Sequence, residues 1–356
     1  MGMWGMASGA LVSAALIAIA GTAQTADFPE PKTSEYIIKD FAFHTGEVMP
    51  EMRVSYTTVG APEGEPVLML HGTTDSAQDM LTEGFAGALY GPGQALDATK
   101  YFIIIPDAIG TGGSSKPSDG LRAAFPQYNY DDMVAAQYDL VKNRLGIDHL
   151  RLVMGNSMGG MLTWTWGVTH PDFMDALVPM ASLPGPMSGR NWMMRRMLID
   201  AVRTDPAWDG GNYKEQPPNL RIANVWFSIA TNGGEKRLAK IGNTREAADA
   251  YVDQRLAKAT APDANDAMYQ WNASRDFDPT EGLGKIKAAL LVINSEDDER
   301  DPPELDTLEK GMAAIGHGEV HIIPATAETS GHGTTYGMVA LYADRLATFL
   351  ASVPSK

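Results

Sequence analysis

The sequence predicts an α/β fold: a mostly parallel central sheet flanked by helices, with a helical cap inserted before the strand that leads into an acidic loop. Three observations carry this expectation. Val67–Leu70, Tyr101–Ile105, Leu152–Met154, Ala176–Met180 and Ala288–Ile293 are short continuous apolar runs, with Leu150-Arg151 leading into the third, the pattern of strands covered on both faces. Helical spacing fills the intervals, as in Asp131–Leu145, where Met133, Val134, Tyr138 and Val141 share a face. Leu183–Glu281 is too long for a simple crossover and is expected to form a separate layer of helices.

Taken in order, the chain first shows a leader-like segment. Leu11–Ala20 is apolar, too short to span a bilayer, and ends in small residues, Ala20-Gly21-Thr22-Ala23, suited to signal-peptidase cleavage near Ala23 or Ala26. No Lys or Arg precedes Lys32, so the basic n-region reduces to the α-amino group. Residues 1–26 are therefore expected to be a signal peptide, the mature protein periplasmic or secreted and without a membrane anchor, or cytoplasmic if the leader is retained. Tyr36–Phe43, Gly46 and Met52–Gly60 read as a hairpin running into a longer edge strand. Residues 27–182 make the first part of the core, 183–281 the cap, and 282–356 the second part of the core, with a strand at Glu319–Ile323 and a final helix from about Thr335 to Ala351.

Composition removes several classes of function. A net charge of −16 argues against a nucleic-acid partner or an anionic membrane surface. The absence of cysteine excludes disulfides, thiolate metal sites and a Cys nucleophile. His-Glu-x-x-His is missing, and Gly110–Ser115 lacks the Lys of a phosphate loop, so neither a metal nor a cofactor is expected. Oligomeric state, a homodimer included, is not legible in the sequence.

The chemistry is sought at Gly155-Asn156-Ser157-Met158-Gly159-Gly160, between the Leu152–Met154 run and a helical segment. Gly-x-Ser-x-Gly in that context is a nucleophile elbow: the serine occupies a strained turn, and the glycines let strand and helix approach. In a parallel sheet, chemistry collects at the carboxyl ends of the strands. His71-Gly72-Thr73-Thr74 follows the Val67–Leu70 strand at that end, so the N–H groups of Thr73 and Met158 are the expected oxyanion donors. His71 reads as a structural residue of its loop that borders the substrate.

Among seven histidines, His332 alone follows the last strand and precedes the last helix, which makes it the expected base. His317 precedes that strand, His321 lies within it, and His44, His149 and His170 occupy connecting segments. The acid is expected in the loop after Leu290–Ile293, where Glu296, Asp297, Asp298, Glu299 and Asp301 compete.

Five segments carry a family resemblance: Ser55–Gly60, Ala95–Asp97 ahead of Tyr101–Ile103, Gly155–Met161, Asp205–Tyr213 and Asp263–Asn265. Over residues 40–350 the chain resembles the homoserine O-acetyltransferase-like branch of the α/β-hydrolase superfamily. The resemblance implies an α/β-hydrolase fold and a triad of Ser157, Asp298 and His332. Asp298 matches the interval from acid to proline through Pro302, with Asp297 in reserve. It also implies an arginine on a cap helix that holds the acceptor's carboxylate, and here the gap-free match falls on Ile199, with Arg195, Arg196 and Arg203 out of register. That departure, together with a leader that would separate the protein from cytosolic acetyl-CoA, favours water as acceptor. The expected function is hydrolysis of a small-molecule carboxylic ester through an acyl-enzyme, with acyl transfer to a small hydroxyl or amine as the alternative and non-catalytic ligand binding behind both. Trp192, Met193, Arg196, Ile199 and Trp226 of the cap are expected to border the substrate.

Overall fold

The structure, a computed structural model, describes residues 28–258, 262–303 and 305–356. The expected leader, residues 1–26, lies outside the described residues. Eight strands form one sheet: β1 (Lys32–Ala42), β2 (Val48–Val59), β3 (Glu65–Leu70), β4 (Tyr101–Pro106), β5 (Leu150–Asn156), β6 (Met174–Met180), β7 (Ala289–Ser295) and β8 (Glu319–Ile323). Their order is β1-β2-β4-β3-β5-β6-β7-β8. Only β1 with β2 and β2 with β4 pair antiparallel, so β3 to β8 end at the same edge.

Helices α1 (Ala86–Leu89), α2 (Tyr130–Asp139) and α3 (Met158–Thr169) belong to the first part of the core. Between β6 and β7 come α4 (Gly189–Arg203), α5 (Asn219–Thr231), α6 (Glu235–Ile241), α7 (Arg245–Lys258) and α8 (Ala264–Ala273). After β7 follow α9 (Asp306–Ile315), α10 (Thr334–Gly337) and α11 (Ala343–Ser352). No helix among the described residues is long and apolar enough to cross a membrane.

The period of two along a strand divides the apolar runs between two cores. Leu68, Leu70, Ile104, Val153, Leu177, Leu290 and Val292 face α2, α3 and the cap helices, with Trp164 and Trp166 fully buried among them. Val67, Met69, Ile103, Ile105, Leu152, Met154, Val178, Leu291 and Ile293 face the other way, against α1 and the Leu346, Phe349 and Leu350 face of α11. Each central strand thus has no polar face, which is why these segments read as apolar runs, with Arg151 at the start of β5 the exception. α4 rests on α5 and α8 to make the cap, and α8 is buried along most of its length, including Tyr269, Gln270 and Trp271.

Candidate active site

Ser157 occupies the turn from β5 into α3 with φ 58° and ψ −113°, a conformation that L-residues adopt at a cost. The surroundings enforce it. A Cβ on Gly159 would stand 2.1 Å from the Leu70 carbonyl oxygen, and one on Gly155 would stand 2.3 Å from the Gly159 oxygen. Only glycine at both positions allows α3 to start this close to β3 and β5. The Ser157 N–H donates to the Met180 carbonyl of β6 at 2.9 Å, tying the elbow to the next strand.

His332 reaches the same point from the loop after β8. Thr335 donates from Oγ1 to Asn156 Oδ1 at 2.6 Å, which latches the histidine-bearing segment to the residue preceding the serine. The result is a continuous chain of hydrogen bonds: Ser157 Oγ lies 2.7 Å from His332 Nε2, and His332 Nδ1 lies 2.8 Å from Asp298 Oδ2. All three side chains are buried. Asp298 Oδ1 also accepts the N–H groups of Arg300 and Asp301 at 2.9 and 3.1 Å. Burial raises the Asp298 carboxyl most strongly, but His332 and these two N–H groups outweigh it and leave it below the usual carboxylate range. The imidazole is pushed below its ordinary value, chiefly by burial, with Asp298 opposing. At neutral pH His332 is therefore an uncharged base, its proton on Nδ1 toward Asp298 and its Nε2 lone pair toward the Ser157 hydroxyl.

Asp297 is turned away, its two oxygens accepting from Ser295 and Thr329. Each other histidine outside the triad has its own setting. His44 pairs with Asp132 and His149 with Asp175, His170 stacks on Tyr138, His317 meets the Ala288 carbonyl, and His321 meets that of Leu341. His71 holds its loop with both ring nitrogens: Nδ1 donates to the Gly72 carbonyl at 2.8 Å, and Nε2 accepts the Ala108 N–H at 3.0 Å. It does not border the substrate space.

That space is a cavity of about 320 Å³ bordered by Thr73, Ser157 and His332 from the core and by Asn224, Phe227 and Trp271 from the cap. Thr73 follows β3 and Met158 begins α3, and no described residue accepts a backbone hydrogen bond from either N–H. A helix N-terminus supplies the remainder of the positive field there. A nucleophile, a base and free N–H donors around one cavity are the parts that acyl transfer requires.

Residues 64–327 match the alpha/beta hydrolase fold family. The chain belongs to that family. Within it, the homoserine O-acetyltransferase of Trichormus variabilis (strain ATCC 29413 / PCC 7937) is 31% identical over 310 residues, covering 78% of this chain and 84% of that one. The homoserine O-acetyltransferase of Thermobifida fusca (strain YX) is 30% identical over 285 residues, covering 70% and 75%. Among solved structures, homoserine O-acetyltransferase from Bacillus anthracis superposes with a TM-score of 0.80 at 23% identity, over 92% of this chain and 99% of that one. The acetyl esterase MekB gives 0.77 at 23% identity, over 90% and 97%. The protein is thus an α/β-hydrolase of the homoserine O-acetyltransferase-like branch, an enzyme of the esterase or acyltransferase kind.

In this α/β-hydrolase none of Trp192, Met193, Arg196, Ile199 and Trp226 borders the cavity. Met193 and Trp226 are exposed, Arg196 is exposed and paired with Asp200 at 2.9 Å, Ile199 is buried under the cap, and Trp192 packs at the edge of the core. The cause is helical phase: successive residues are rotated by about 100°, so a choice one position out faces solvent. Phe227, beside Trp226, lines the cavity, and Arg195, beside Arg196, is fully buried with its guanidinium 5.1 Å above the Trp271 ring. Arg300 also borders the cavity, held by Thr231 and Asn232 at 3.0 and 2.8 Å and lying 4.2 Å over Phe227. Its signal in the sequence was an arginine two positions after Asp298 in an otherwise acidic loop.

Two outcomes follow from this geometry. Trp226→Ala and Arg196→Ala are expected to leave kcat/KM within about twofold, the range of exposed substitutions, whereas Asn224→Ala raises KM; steady-state kinetics on one ester compare the three. The base form of His332 persists below pH 6.5, so kcat/KM holds as pH falls from neutrality to that value and declines beneath it. Asp75 lines the same cavity and is pushed up to about 6 by burial, so a pH profile of Asp75→Asn isolates the histidine limb.

Proposed function

We propose that the protein hydrolyses carboxylic esters of small alcohols through an acyl-enzyme on Ser157. The supporting observation is the buried Ser157–His332–Asp298 chain, at 2.7 and 2.8 Å, opening onto a cavity of about 320 Å³. Ser157 Oγ attacks the ester carbonyl carbon while His332 Nε2 takes its proton, and Asp298 orients the imidazole and offsets the charge it gains. The N–H groups of Met158 and Thr73 receive the oxyanion, a contribution of about 10²–10³ in rate per donor. The imidazolium returns its proton to the leaving alkoxide and the alcohol departs. Water then attacks the acyl-enzyme with His332 again as base, and the carboxylic acid leaves Ser157 free.

Water as acceptor is favoured by Ile199, an apolar buried side chain where the resemblance places the acceptor-binding arginine. A second reading, transfer of the acyl group to a small hydroxyl or amine, draws on Arg195, which sits one helical turn earlier and carries both Nη atoms without hydrogen-bond partners. A panel of short-chain esters and acyl-CoA donors, run with and without acceptors, separates the two. Hydrolysis predicts free acid as product at a rate indifferent to homoserine or added alcohol; a many-fold increase with acylated acceptor formed would replace it by transfer. Export is proposed alongside, and N-terminal sequencing of periplasmic protein tests it, an intact Met1 in the cytosol being the contrary result.

A further inference from the structure

The His332 Nδ1 nitrogen that Asp298 holds has a second carboxyl beside it. Asp301 Oδ2 lies 3.7 Å from that atom, against 2.8 Å for Asp298 Oδ2. Asp301 is buried, its Oδ2 has no hydrogen-bond partner, and its Oδ1 meets only Asn191 Nδ2 at 3.4 Å. A buried carboxyl left this poorly satisfied is uncommon and calls for a reason. Among the described residues, Asp298, Asp301 and His332 are the one group of three or more His, Asp and Glu side chains that bring one polar atom each to within 4.8 Å of one another. The turn that creates the group is local: Asp298 Oδ1 accepts the N–H groups of Arg300 and Asp301, folding the loop so that both carboxyls approach the same ring nitrogen of His332.

We infer that Asp301 is a second acid of the triad, a positioning residue that shares His332 Nδ1 with Asp298 and can orient the imidazole in its place. The inference rests on the serine mechanism proposed above. Around Asp301 stand Asp298 and Arg300 from its own loop, Arg195 and Asn191 from α4, Tyr130 from α2, and His332. Burial, then the charge of Asp298, pushes its carboxyl up to about 8, so at neutral pH it is protonated and leaves Asp298 as the sole anion at Nδ1. As pH rises through that value the proton leaves, and the new charge strengthens His332 as a base. Replacing Asp298 by Asn removes the like charge, so Asp301 ionises at lower pH. A shift of about 1 Å, the difference between 3.7 and 2.8 Å, then brings Asp301 into hydrogen-bond range of Nδ1.

The test compares wild type, Asp298→Asn, Asp301→Asn and the double variant by the rate of fluorophosphonate labelling and of p-nitrophenyl acetate hydrolysis across pH 5–10, with circular dichroism to verify folding. The expected result is that Asp298→Asn keeps a rate at least tenfold above the double variant. Asp301→Asn alone costs only a few-fold and removes a step near pH 8 seen in wild type. Equal rates for Asp298→Asn and the double variant at every pH, with an active wild type, overturn the inference. If Asp298→Asn does not fold, the wild-type step decides: its persistence in Asp301→Asn is the refuting result. A wild type with no Ser157-dependent labelling fails the serine mechanism itself, and the inference with it.

Discussion

Ser157→Ala is expected to lower ester turnover by about 10⁴–10⁶-fold, the range seen when the nucleophile of a triad is removed, and to abolish fluorophosphonate labelling. Ser157 Oγ is the one atom that both faces the cavity and touches His332 Nε2. His332 can at most direct water to the ester itself, without the acyl-enzyme, so the residual rate comes from the oxyanion donors and binding. Stability should change by less than about 1 kcal/mol, since only a hydroxyl facing a cavity is lost. Labelling of the variant at the wild-type rate would show that another nucleophile carries the reaction.

Gly159→Ala is expected to damage both stability and turnover. Its Cβ would stand 2.1 Å from the Leu70 carbonyl oxygen and 2.9 Å from that of His71. Neither obstacle is a side chain that can rotate aside. Leu70 is paired with Gly155 in the sheet, so its carbonyl moves only if β3 and β5 part. Overpacking of this kind costs about 1–3 kcal/mol and occasionally more. The helix must also withdraw from β3, which carries the Met158 N–H away from Thr73, so kcat should fall by about 10²–10³, the loss of one oxyanion donor. Denaturant unfolding and steady-state kinetics together check this; near-wild-type stability and kcat would mean that the contact between elbow and β3 is looser than described.

How much of this was legible beforehand depends on how far a residue's position follows from its own strand or helix. Val67–Leu70, Leu152–Met154 and Ala288–Ile293 are legible as strands because burial on both faces leaves no polar position in them. Once those strands were in place, Ser157 and His332 had to emerge at the same edge of the sheet, since parallel strands carry all their carboxyl ends to one side. The meeting of Asp298 with His332 was harder to read. Five acids share that loop, and Asp297 differs from Asp298 only in which way the chain turns, a choice closed by two backbone hydrogen bonds to Asp298 Oδ1. Asp301, three residues on, looked like another solvated charge, yet the same turn buries it.

The cap is the least legible part of the sequence. Trp192, Met193, Arg196, Ile199 and Trp226 have the residue types of a substrate pocket, yet the cap borders the cavity with Asn224, Phe227, Ser228, Asn232 and Trp271. By itself the sequence determined the strand order of chemistry, the elbow at Gly155–Gly160 and the edge from which His332 arrives, because these follow from local periodicity and from the direction of parallel strands. Only the tertiary structure decided the rotation of α4 and α5 about their own axes, the turn that separates Asp298 from Asp297, and the burial of Arg195 and Asp301. Those depend on packing between segments far apart in the chain, where a difference of one residue turns a side chain from the cavity to the solvent.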